Sequence, residues 1–164
     1  MGLFSFLPVI YYHFKYVVDD SSKKRVLTIF LLFPLVPTVL LIWFGYTLSA
    51  EIAQVIATVV GVLVGFSISS LMQLTSQVRK PEPDSHQDLV EKTRVHTMYA
   101  LDFGIALLAA TAFSHIILSS DMHVGKLVEI ALTGSIFLGF GHFLLTLFLL
   151  PARLFTIGEK VDLD

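Results

Sequence analysis

Ile52 to Leu74 reads IAQVIATVVGVLVGFSISSLMQL, a run of twenty-three residues without a charge. At about 1.5 Å per residue, a helix of that length covers the roughly 30 Å hydrocarbon core of a bilayer. Apolar segments of similar length lie on either side, at about 26–48, 95–118 and 128–150, joined by short connections. The expected fold is all-α: an integral membrane four-helix bundle that forms a single transmembrane domain over residues 1–164, in contact with membrane lipid. Composition agrees. Hydrophobic residues make up 55% of the 164 and charged residues only 15%, and the mean hydropathy is +0.79. A soluble core of this size cannot absorb that much apolar surface.

The first span follows Lys23, Lys24 and Arg25 and carries Trp43 and Tyr46 near its far end, the pattern of interfacial anchors. It contains Pro34 and Pro37, which free backbone carbonyls and favour a kink. A very short turn at residues 49–51 predicts that spans one and two form a tight antiparallel hairpin. Residues 75–94 are the one long polar stretch. Its second half reads as helix that runs directly into span three, so this helix should project beyond the membrane. Span four is expected to end at Pro151, with Arg153 as its anchor. Before span one, the aromatic segment from Met1 to Asp20 suits a short helix lying in the interface. It lacks the cationic start and cleavage site of a secretory signal, and Phe6 stands where a myristoylation signal needs Ser or Thr.

Ten of the eleven Lys and Arg fall before span one (Lys15, Lys23, Lys24, Arg25), between spans two and three (Arg79, Lys80, Lys92, Arg94) or after span four (Arg153, Lys160). Only Lys126 falls on the other side. By the positive-inside rule, both termini and the middle loop are expected in the cytoplasm, which for a bacterial protein means the inner membrane. The net charge of −2 and the lack of a basic cluster speak against direct nucleic-acid binding. The absence of Cys removes disulfides, thiolate metal sites and thiol nucleophiles.

Three groups of residues are candidates for function. Ala53, Ala57, Gly61, Gly65 and Ser69 recur at every fourth position of span two, and a shorter echo follows at Ala131, Ser135 and Gly139. Such a row is expected to stay close to one helix face and let another backbone approach. That neighbour is either a helix of the same subunit or a second copy in a homo-oligomer. Asp102 and His142 are ionisable groups inside spans, and Ser67 reaches a similar depth. A Ser, an Asp and a His on one level invite a hydrolase reading, but helical backbone supplies no oxyanion donors. No enzyme activity is expected. An Asp102–His142 hydrogen bond that joins spans three and four, or a proton or ion pathway in a pore, fits better.

His115 differs from His142 in depth by too much for a bis-His haem. His123 and Asp121 lack a diagnostic metal spacing, so no cofactor or metal is expected. The third group is the cytoplasmic face, with Arg79, Lys80, Glu91, Lys92 and Arg94, where a soluble cytoplasmic protein would dock. The C-terminal segment from Glu159 to Asp164 joins it.

The stretch Val60-Gly61-Val62-Leu63-Val64-Gly65-Phe66-Ser67, in a four-span chain with a charged cytoplasmic loop, resembles small bacterial membrane proteins of antiviral defence operons, of which the Kiwa membrane subunit is an example. The resemblance implies a homo-oligomeric inner-membrane sensor, effector or scaffold that recruits a cytosolic partner. A self-contained ion or proton channel centred on Asp102 and His142 is the alternative expectation.

Overall fold

The computed structural model describes residues 11–12, 23–77, 84–120 and 125–161. Four helices account for nearly all of them: α1 (Lys23–Trp43), α2 (Ala50–Gln77), α3 (Asp84–Ser119) and α4 (Lys126–Val161), with no strand among the described residues. Three of the helices contain segments long and apolar enough to cross a membrane: Ala50–Ser76, Val90–Ser119 and Lys126–Phe148. α1 carries the uncharged run Val26–Trp43, of which Leu32–Trp43 has described side chains. Large apolar side chains point outward, among them Trp43, Val62, Met72, Phe113 and Phe148. A soluble protein seldom tolerates such a surface, whereas lipid solvates it at no cost.

α1 ends five residues earlier than the expected span. Gly45 adopts φ +78°, its N–H donates to the Ile42 carbonyl at 3.0 Å, and the Tyr46 N–H donates to Leu41 at 2.9 Å. This is a Schellman motif, in which a left-handed residue turns the chain out of the helix while its last carbonyls remain bonded. Ser49 then caps α2 by accepting the Ile52 N–H. Within α1, Pro34 and Pro37 leave the carbonyls of Phe30 and Phe33 without their usual donors.

The expected hairpin of spans one and two does not form. The main interfaces run α2 to α3, α3 to α4 and α4 to α1. α1 and α2, although adjacent in sequence, form none of them. The linker explains this arrangement. Leu48 is buried and its N–H donates to the Thr133 hydroxyl of α4 at 2.9 Å, so residues 46–49 cross over α4 and carry α1 to its far side. There Pro34 presses on Gly141: a methyl placed at that glycine would lie 2.9 Å from the proline Cβ.

The core is built mainly where α2, α3 and α4 meet. Ala53, Ile56, Val60 and Val64 of α2 pack with Ala100 and Leu107 of α3 and with Ile136, Phe143 and Leu147 of α4. Gly104 lies at the crossing. A Cβ there would sit 2.6 Å from Val64 Cγ2 and 2.8 Å from Phe143 Cε2, so no side chain fits while all three helices stay in place. Small-residue contacts of this kind bring helices together in lipid, where burying one more leucine gains little.

Both α3 and α4 have 36 residues, about 54 Å of helix at the usual rise. α3 begins in the polar stretch and continues without a break into its span, as expected. α4 does not stop at Pro151 but continues to Val161. A proline interior to a helix removes one hydrogen bond, to the Leu147 carbonyl. The cost is tolerable where the helix leaves the hydrocarbon. The starts of α1 and α3 and the ends of α2 and α4 share one end of the molecule, which also carries most of the Lys and Arg and is called the basic end below. The expected interfacial helix of residues 1–20, apart from 11–12, lies outside the described residues, as do Arg79, Lys80, Asp121 and His123.

Candidate functional site

A layer of buried polar groups crosses the basic half of the core. Tyr99 of α3 projects toward α4, where its hydroxyl lies 2.8 Å from His142 Nε2. The phenol donates when the imidazole is neutral with its proton on Nδ1. Phe103, one turn further along α3, stacks on the Tyr99 ring with centroids 5.9 Å apart. It meets His142 edge-on at 5.1 Å. One apolar ring, Phe103, therefore flanks both members of the pair. Toward the basic end the layer continues through Thr93, His96 and Thr97 of α3 and Ser67 and Ser70 of α2, all buried. Beyond it, Val60, Val64, Leu107, Ile136 and Phe143 fill the middle of the core with apolar side chains.

Ser67, Asp102 and His142 share a level along the helices but not a site. The Ser67 hydroxyl donates to the Leu63 carbonyl of its own helix at 3.0 Å, which commits its proton to the backbone. His142 takes Tyr99 as its partner instead of Asp102. The reason is rotational. Three residues advance a helix by about 300°, so Asp102 stands about 60° around α3 from Tyr99, on the side away from α4's contact. Its face continues through Ile105, Ala106, Ala109, Phe113 and Ile116, all exposed. Asp102, half-buried among them, forms no hydrogen bond or ion pair with another described residue.

The small-residue row of α2 also departs from expectation, and for a related reason. A step of four residues turns a helix by about 400°, so the row drifts about 40° per step and about 160° from first to last. Ala53 is fully buried, Ala57 and Gly61 are half-buried, and Gly65 and Ser69 are exposed. A Cβ placed at Gly61 or Gly65 would meet no atom within 4 Å. Within one subunit only the first member packs closely. The echo on α4 behaves similarly, with Ala131 and Ser135 exposed and Gly139 buried against Leu107. The hydroxyls on the open part of α2 bond to their own helix, Thr58 to Gln54 and Ser69 to Gly65.

His115 ties the other end of the core together. Its Nδ1–H donates to the Ala50 carbonyl at 3.0 Å, joining the end of α3 to the start of α2. At the basic end, Lys92 pairs with Asp88 at 2.9 Å and Arg94 with Glu91 at 3.3 Å, both along α3. Each of these intrahelical pairs contributes only tenths of a kcal/mol, roughly.

An apolar crevice of about 160 Å³ opens between α2 and α4, lined by Leu63, Phe66, Leu144, Leu147 and Phe148. Its chemistry suits an acyl chain and offers nothing to a polar ligand. Tyr99, Phe103 and Gly104 carry no motif that marks them in the sequence. His96, Tyr99 and Phe103 repeat at spacings of three and four, which marks one helix face. That pattern was available. The pairing with His142 was not. No known protein family, curated protein or solved structure matches this chain.

Proposed function

We propose that this protein is an oligomeric, four-span inner-membrane subunit, a sensor, effector or scaffold that recruits a cytosolic partner, with both termini on the cytoplasmic side. The observation that carries this reading is the length of α3 and α4. Each is about 54 Å long, well beyond the roughly 30 Å needed to cross the hydrocarbon. Two continuous helices therefore project from the basic end, one of them carrying the paired charges Asp88, Glu91, Lys92 and Arg94. A projection already folded as helix is a suitable dock because its backbone loses little freedom on binding. The open part of the α2 row, at Gly61, Gly65 and Ser69, supports assembly with further copies. Action in antiviral defence rests on the resemblance described above and on nothing else.

A self-contained channel centred on Asp102 and His142 has less support. The two residues occupy different faces of the helix layer, and apolar side chains fill the core beyond the polar layer.

Photo-crosslinking in cells tests the docking reading. A crosslinker at Glu91 should capture a cytosolic protein, a crosslinker at Glu51 should not, and the triple charge reversal Glu91→Lys, Lys92→Glu, Arg94→Glu should abolish capture. Capture at Glu51 alone would reverse the orientation. Absence of any adduct at Glu91 would remove the dock.

A further inference from the structure

The outward face of α3 holds a carboxyl group where hydrocarbon should surround it. Asp102 lies about 10 Å along the helix from Val95 and about 24 Å from Leu118, the two ends of the uncharged stretch that Asp102 alone interrupts. The side chain is too short to reach either headgroup layer from there. Exposed Ile105, Phe113 and Ile116 continue the same face, so no polar environment is built around it. An ionisable group in that position costs several kcal/mol, roughly, unless a partner supplies a hydrogen bond or an opposite charge. No described residue supplies either to Asp102.

Copies of the chain cannot supply the charge. No Lys or Arg occurs between Val26 and Val78, between Val95 and Gly125 or between Leu127 and Ala152. The imidazole nearest in depth, His142, is turned inward to Tyr99. Two copies meeting through this face would bring carboxyl against carboxyl, which requires a shared proton and leaves the apolar rim to do the rest.

We propose that the Asp102 face of α3 docks a transmembrane helix of another membrane protein, one that carries a Lys or Arg at the same depth. Asp102 supplies the charge complement. Ala106 and Ala109, one and two turns further on, let the partner helix approach closely, and Ile105, Phe113 and Ile116 pack along it. This surface is separate from the open row of α2 and from the charged projection of α3, so the inference does not depend on either.

The test reconstitutes the full chain in liposomes with a fluorescent leucine-based synthetic helix bearing a single Arg at the depth of Asp102, about 10 Å from one end of its apolar stretch, and measures energy transfer between them. The Arg helix should associate at least about tenfold more tightly than the same helix with Leu at that position. The advantage should vanish with Asp102→Asn, while circular dichroism and elution volume of that variant stay unchanged. Equal association of the two helices would overturn the proposal, as would an Arg preference that survives Asp102→Asn. Because the chain has no native cysteine, an Ala109→Cys variant provides an independent check. Disulfide-linked dimers that form without the synthetic helix and disappear with Asp102→Asn would assign the face to a second copy and reject a cationic partner.

Discussion

Tyr99 and Asp102 stand three residues apart on one helix and have opposite fates. Tyr99 is buried, hydrogen-bonded across to α4 and flanked by an aromatic ring. Asp102 faces away from α4 with no partner among the described residues. In water the contrast would carry little weight, because solvent satisfies an exposed carboxylate. In lipid the outward face is as demanding as the inward one, since each polar group must find protein or do without. A polar residue that faces out therefore points to something that arrives later. The two glycine sets repeat the lesson. Gly104 and Gly141 are small because neighbours crowd them, whereas Gly61 and Gly65 are small with nothing nearby.

The comparison can be broken most severely at Gly104. Replacement by Leu should prevent α2 and α4 from closing on α3, giving protein that aggregates on extraction. Replacement by Ala should still cost about 1–3 kcal/mol, visible as a lowered midpoint in thermal unfolding in detergent. A normal midpoint for Gly104→Leu would mean that the three-helix contact is wrong. Next in size comes the joint change Gly61→Ile, Gly65→Ile, which should leave that midpoint intact while reducing the particle mass by light scattering from oligomer to monomer. A fall in midpoint without loss of mass would return the row to packing within one subunit.

Smaller effects sharpen the contrast on α3 itself. Tyr99→Phe removes the hydroxyl and leaves His142 Nε2 unmatched, which should cost about 0.5–1.5 kcal/mol of stability. A double-mutant cycle with His142→Phe should show coupling of that order, and additivity would mean that the bond contributes nothing. The smallest expected effect is that of Asp102→Asn on the isolated subunit, within roughly 0.5 kcal/mol of the parent. A large loss there would place Asp102 in the fold instead of at a docking face.

Much of the architecture was legible in the chain because hydrocarbon is a strict solvent. Uncharged runs such as Ile52 to Leu74 have little choice but helix, and α2, α3 and α4 appear where apolar length predicts them. The continuation of the polar stretch into α3 was readable for the same reason. Helix ends were less so. Gly45 carries the stop signal for α1, yet the apolar residues beyond it disguise it, and Pro151 resembles a stop that α4 passes through. The candidate site was legible only in depth. Counting residues placed Ser67, Asp102 and His142 on one level, but depth advances by 1.5 Å per residue while facing turns by about 100°. An error of one residue shifts the level slightly and the face by more than a quarter turn.

From the sequence alone come the solvent, the helices, their approximate depths and the charge bias of one end, because each depends on local composition along a single axis. Which helix touches which was decided only in three dimensions. A buried leucine and one hydrogen bond to Thr133 carry α1 past α2 to the far side of α4. The crossing at Gly104 then fixes the rotation of α3, turning Tyr99 in and Asp102 out. Contacts between residues far apart in the chain set those rotations, and no stretch of sequence read by itself contains them.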